Sequence, residues 1–289
     1  MKKKCLLSVA IDAPAPEGEP PKGYELLSAN AGLGFEWQAY SALANSARGF
    51  AAFQAMKYGH PEHFHHYIIT PFAMSASHND AEIDAALARE LTEDESHALM
   101  DSLQSFIGKE GDCFTLCDDG SYLWSSQCDQ NITSMPLTEL HAKSFYGFIS
   151  QHRERINWHP LFTELQMLLN QHPVNLARRQ KALPEVSGAW IWGEGTVSLE
   201  RGSELLISDD ERHRLWSQVL DMEFLLLEGE LNWQQLLRQH QGMTILMTQP
   251  SDALVQGLKQ SSTKTISRWH WQNACYQGRA IPWWRKIWM

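Results

Sequence analysis

The chain has 289 residues, 43% of them hydrophobic and 20% charged, a globular composition that excludes a disordered or fibrous protein. That length accommodates one large domain, two smaller ones, or one domain carrying an insertion. The formal charge of −10 is uneven: Lys264, Arg268, Arg279, Arg285 and Lys286 stand in a C-terminal stretch without acids, which leaves −15 on the rest. Such a tail either packs on an acidic face or meets an anionic partner, and the acidic body disfavours nucleic acid.

Met1 to Lys4 is basic and precedes the apolar run Cys5 to Ile11. The run ends at Asp12, with Pro14 and Pro16 beyond it, so it is too short for a secretory segment and is expected to form a first strand. No stretch reaches the 18 or so apolar residues of a membrane-spanning helix. Five scattered cysteines (Cys5, Cys113, Cys117, Cys128, Cys275) suit reduced thiols, so a cytoplasmic location is expected.

In chain order, Pro14 to Pro21 is expected as a loop and Glu36 to Met56 as one helix, with Phe35, Ala39, Leu43, Phe50 and Phe53 at helical spacing and Gly59-His60-Pro61 ending it. Tyr67 to Met74, interrupted by Pro71, predicts an edge strand. Thr92 and Glu95 predict a capping box opening a helix that carries Leu99, Leu103 and Phe106 on one face and stops at Gly108. Cys113 to Leu116 and Tyr122 to Ser125 read as strands around the turn Asp118-Asp119-Gly120. Pro160 to Asn170 reads as an amphipathic helix with Leu161, Leu165, Leu168 and Leu169 in register.

Gly188 to Trp192 is expected as a buried strand closed by Gly193-Glu194-Gly195. A helix over 209–220, a strand over 222–227, a helix over 232–240 and a strand over 243–248 follow. Helices alternating with apolar strands from residue 160 onward predict a mainly parallel sheet with covering helices.

Three groups of residues bear chemistry without completing a site. His60, His63, His65 and His66 are dense, and His63-x-His65 would share a face on a strand, with His78 the nearest third ligand. The run lacks the paired spacing of zinc motifs and reads as a solvated turn, while Cys113-x3-Cys117 with Cys128 reads as packing. Trp269, Trp271, Trp283, Trp284 and Trp288 interleave with cations, either to stack on single-stranded nucleic acid or anionic lipid or to pack into the core under the arginines; the acidic body favours packing. Finally, His172-Pro173-Val174-Asn175 ends a helix, and Arg178 and Arg179 follow within a turn. Their guanidinium groups beside an Asn side chain could hold a phosphate or carboxylate. The alternative is a helix junction held by an Asn cap.

The segment HPVNLARRQKALPEVSGAWIWGEG resembles the part of archaeal-type cofactor-independent phosphoglycerate mutases in which a helix ends in His-Pro-x-Asn and leads into a Trp-Leu-Trp-Gly-x-Gly strand. Upstream, YIITPFAMSASHNDAEIDAALARELTEDESHALMDSL is similar to the region leading into a family helix that begins near Thr-Glu-Glu-Glu, and QNITSMPLTEL is similar to the family's His-Asp-Ile segment. With FTELQMLLNQHPVN at its centre, the stretch from Tyr67 to Gly195 more closely resembles bacterial proteins of the phosphoglycerate-mutase-like, or regulatory protein RpfE, type. The Trp-Trp-Arg tail carries a weaker echo of the same proteins.

The resemblance implies an α/β fold: a shortened alkaline-phosphatase-like core with a mainly parallel sheet, built from residues 1–66 and 157–289, and a cap-like α+β segment over 67–156. In that superfamily two divalent metals, manganese for example, activate a serine that carries the phosphoryl group. Asp12 matches a metal-binding Asp, and Ser46 approaches the nucleophile turn only with a gap. Where the family has Asp-x-x-x-His the chain reads Glu228-Gly229-Glu230-Leu231-Asn232, and where it has Asp-His the chain reads Gln249-Pro250-Ser251. Ile69 lies near the place of a family Arg, and Asn131 stands where an Asp is usual.

The expectation is therefore a degenerate, non-catalytic, mutase-like protein without metal or cofactor. It would bind a phosphorylated small molecule or a protein partner, with His172, Asn175, Arg178 and Arg179 as an anion site and Asp12 as a remnant metal position. The alternatives are a divergent metal-dependent phosphomutase or phosphatase, and an interaction module that uses the basic tail.

Overall fold

The computed structural model describes residues 6–11, 24–29, 35–43, 49–77, 80–85, 87–135, 137–140, 145–196, 204–229, 231–251, 254–255, 257–258, 266–270 and 274–278. Asp12, Ser46, His78, Trp271, Trp283, Trp284 and Trp288 lie outside the described residues.

In chain order the elements are β1 (Leu6–Ile11), β2 (Tyr24–Ala29), α1 (Phe35–Leu43), α2 (Phe50–Tyr58), β3 (His65–Ser77), β4 (Asp80–Asp84), α3 (Leu87–Glu90) and α4 (Glu93–Ile107). Then come β5 (Cys113–Leu116), β6 (Tyr122–Ser126), α5 (Leu137–Leu140), α6 (Phe145–Gln151), α7 (His159–Asn170), α8 (Pro173–Gln180) and β7 (Gly188–Trp192). The last are β8 (Leu205–Ser208), α9 (Arg214–Val219), β9 (Glu223–Leu226), α10 (Trp233–Gln239), β10 (Gly242–Met247), β11 (Ile266–His270) and β12 (Ala274–Gly278). They divide into two compact units, residues 1–30, 34–45 and 199–289, and residues 31–33 and 46–198.

The first unit holds a seven-stranded sheet in the order β2-β12-β11-β1-β10-β8-β9. β11, β1, β10, β8 and β9 pair in parallel, and β12 and β2 add antiparallel strands at one edge. Alternation along each strand sends Leu7, Val9, Ile11, Leu205, Ile207, Met243, Ile245 and Met247 to one face, where Trp233, Val255 and Leu258 cover them. α1 packs against β1, β10 and β11. Burial of both faces explains why these strands read as continuous apolar runs.

The second unit is built on an antiparallel sheet, β4-β3-β6-β5, with β7 also paired to β3. β3 was expected as a short edge strand but is 13 residues long and pairs with β6, β7 and β4. Pro71 is tolerated because pairing with β6 stops at Ile69, so the missing N–H leaves no gap in that ladder. β7 is the second correction. It lies antiparallel to β3 in the second unit, not within the parallel sheet.

Local expectations hold more closely. Thr92 caps α4 and forms the reciprocal capping box with Glu95. The strands flanking Asp118-Asp119-Gly120 pair as expected. The helix expected over 36–56 is two helices, with Gly49 in the left-handed region before α2. Leu99 and Leu103 are buried, but Phe106 at the end of α4 is 44% exposed.

Gly120 has φ +80°, and a Cβ there would lie 2.1 Å from the Ala88 carbonyl oxygen, a backbone atom with nowhere to go. Gly120→Ala is therefore expected to cost about 3 kcal/mol, the sum of left-handed strain and overpacking. Gly229, at φ +75° with nothing within 4 Å of its added Cβ, should lose only the backbone part, about 1 kcal/mol. Chemical denaturation of both variants checks the contrast.

Candidate functional site

The four residues expected to bind an anion meet at the corner between α7, α8 and β7, and each is engaged by the protein itself. His172, not Asn175, caps α8: its Nδ1 accepts the Val174 N–H at 3.2 Å. Accepting there leaves the ring proton on Nε2, which lies 2.8 Å from Ser102 Oγ on α4. Burial pushes the His172 imidazole below its usual range, in keeping with that neutral form.

Asn175 is 1% exposed. Its Nδ2 donates to the Leu169 and Val186 carbonyls, and its Oδ1 accepts the Val186 N–H, all at 2.8 Å. Arg178, also buried, donates from Nε to the Pro184 carbonyl at 2.6 Å and from a terminal nitrogen to Glu95 Oε2 at 2.8 Å. Exposed Arg179 forms a fork with both Glu185 oxygens. Arg178 is thus held by the protein through Nε and one terminal nitrogen, and Arg179 through its Nε and one terminal nitrogen.

The Trp-Ile-Trp-Gly-Glu-Gly stretch has a structural role beside this corner. The Gly193 and Glu194 carbonyls accept the N–H groups of Ala51 and Gly49, which satisfies donors at the start of α2. Trp192 stacks on Phe50 at 5.2 Å, and its indole donates to Thr70 Oγ1. Gly193 sits at φ +80°, and a Cβ there would be 3.3 Å from the Ala51 nitrogen, so glycine lets helix and strand end approach.

In the first unit, ligands of a parallel sheet are expected beyond the carboxyl ends of the strands. Asp209, just past β8, accepts from the Thr248 N–H and hydroxyl through Oδ1 and from the Gln249 N–H through Oδ2, tying β8 to the end of β10. Asp210 pairs with Arg212, whose hydrogen bonds hold its carboxyl down at about 2. Among the described residues no three His, Cys, Asp or Glu side chains are grouped to hold a metal ion.

Two polar groupings escaped the sequence reading. Ser208 Oγ lies 2.6 Å from His213 Nδ1 and accepts the Asp210 N–H, while His213 stacks on Trp216. Because Ser208 is fully buried and already accepts a backbone donor, it closes a turn rather than presenting a nucleophile. A serine ending an apolar strand five residues before a histidine was the available signal.

The histidine run is split by the fold. His63 and His65 are exposed, whereas His60 and His66 converge on Ser125 of β6, with Nδ1 atoms 2.6 and 2.7 Å from its Oγ. His60 Nε2 lies 2.9 Å from Thr115 Oγ1. Burial pushes His66 down to about 4, helped by the charges of His60 and His65, and burial lowers His60 as well.

The fold and these groupings define a mixed α/β protein with one mainly parallel and one antiparallel unit, in which no described helix is long and apolar enough to cross a membrane. The chain is similar to the cofactor-independent phosphoglycerate mutase from Thermoplasma acidophilum DSM 1728, at 11% identity over 96% of this chain and 89% of that one, with a TM-score of 0.35. It is also similar to the PH0037 protein from Pyrococcus horikoshii, at 11% identity over 97% and 90%, with a TM-score of 0.39. No protein-family model and no curated protein matches it.

Proposed function

We propose that the chain is a non-catalytic, mutase-like protein with a binding or regulatory role. The observation that carries this reading is the use made of Asp209. At the carboxyl end of the parallel sheet, where a two-metal phosphoryl-transfer site needs free carboxylates, both its oxygens are taken by Thr248 and Gln249. The neighbouring strand ends supply Leu227-Glu228 and Gln249-Pro250 in place of Asp and His pairs. With three hydrogen bonds accepted, Asp209 there serves to fasten two strand ends together.

Incubation with 3-phosphoglycerate and manganese is expected to give no turnover. Robust metal-dependent turnover would overturn the proposal and favour a divergent phosphomutase working through Asp12 and Ser46. The anion expectation is tested separately: millimolar inorganic phosphate should leave the melting temperature unchanged, since Arg178 and Arg179 already hold carboxylates. A phosphate-dependent rise that disappears in Arg179→Ala would restore an anion site at α8.

A further inference from the structure

Cys113, Ser125 and His66 stand opposite one another across β5, β6 and β3, and Thr115 shares their face two residues on. Onto this face the turn after α2 places His60, whose own N–H is held by the Ala55 carbonyl beside Gly59 in the left-handed region. Ser125 is fully buried, and its single hydroxyl proton must serve two imidazoles. With both rings neutral, one Nδ1–H donates to Ser125 and the hydroxyl donates to the other Nδ1.

One added proton fits. A protonated His60 donates to Ser125 and Thr115, and the Ser125 hydroxyl still donates to a bare His66 Nδ1. A second proton does not fit. His66 would then also point a donor at Ser125, the hydroxyl would lose its acceptor inside the protein, and two cations would face each other across one oxygen.

We propose that His60, Ser125 and His66 form a proton-counting latch that holds the turn of residues 59–64 against the sheet and releases it when the second imidazole is protonated. Burial lowers both imidazoles, and the charges of His60 and His65 add to that at His66. From α2, Lys57 is paired with Asp118 of the turn after β5, and the Tyr58 hydroxyl accepts the Asp118 N–H. On β5, Cys113 lies at the exposed edge, and Glu62 and His63 in the turn are exposed.

The sign follows from His66 being lowered on folding. The closed latch is fully favoured above the ordinary histidine value of 6.5, is weakened as pH falls from there toward about 4, and loses nothing further below that.

Hydrogen exchange of the intact chain, corrected for the intrinsic effect of pH, tests the latch. Between about pH 7 and pH 4, the amides of Gly59, His60 and residues 62–64 should exchange at least about tenfold faster while those of α4 and β7 keep their protection. His66→Gln, which leaves only the tolerated proton on His60, should abolish that acceleration. An equal acceleration in His66→Gln, none in the wild type, or simultaneous loss at α4 and β7 would overturn the proposal. If His66→Gln does not fold, nitrogen-15 NMR of the wild-type imidazoles decides: coupled titrations of His60 and His66 support the latch, and two independent ones near the ordinary histidine value overturn it.

Discussion

Arg178→Ala is expected to lower stability by about 3–5 kcal/mol, the usual cost of removing one partner from a buried ion pair. The guanidinium carries two obligations at once, to the Pro184 carbonyl and to Glu95. The same Glu95 oxygen also accepts the Thr92 N–H in the capping box of α4. Alanine would strand that carboxylate with half its partners and leave the Pro184 carbonyl without the Arg178 donor. Thermal unfolding should shift down by roughly 10 °C. Arg178→Lys should recover only part of the loss, because an ammonium cannot reach both acceptors with one planar fork. A double-mutant cycle with Glu95→Ala should show coupling; simple additivity of the two single losses would refute the pairing as the source.

Asn175 should be nearly as sensitive. Asn175→Ala would leave the N–H and carbonyl of Val186 buried without partners, for a loss of about 3 kcal/mol. Leu169 is cushioned, since its carbonyl also accepts the His172 N–H. The informative variant is Asn175→Asp, which keeps size and the acceptor for Val186 but turns the donating nitrogen into an oxygen facing two carbonyls. It is expected to be at least as damaging as alanine at neutral pH, and denaturant titration of the two variants side by side decides it. A near-neutral Asn175→Asp would mean that the side chain fills space rather than organising hydrogen bonds.

How much of this was legible in the sequence depended on the distance over which each interaction acts. The Thr92 box, the hairpin at Asp118-Asp119-Gly120 and the amphipathic α7 depend on residues a few positions apart, and all three form as read. The partner of β7 did not follow from its own residues, because an apolar GAWIW segment serves a parallel or an antiparallel neighbour equally. The polar residues of α8 show the same ambiguity in chemical form. A guanidinium beside an amide accommodates a carboxylate whether that group belongs to a ligand or to the protein, and Glu95 lies more than eighty positions away. His60, His66 and Ser125 were hidden for the same reason, since only strand register brings them onto one oxygen.

The division of the chain also sets an order of assembly. β1 finds its two ladder partners only in residues 242–247 and 266–270, so the parallel sheet cannot close until most of the polypeptide exists. The strands of the antiparallel sheet all lie between residues 65 and 192. Shorter closures are entropically cheaper, and complete units fold as they emerge. During synthesis the inserted unit is thus ready first, while the apolar strand β1, which precedes it, waits unpaired for residues 242–270, which makes that hexapeptide a segment in need of protection from premature association.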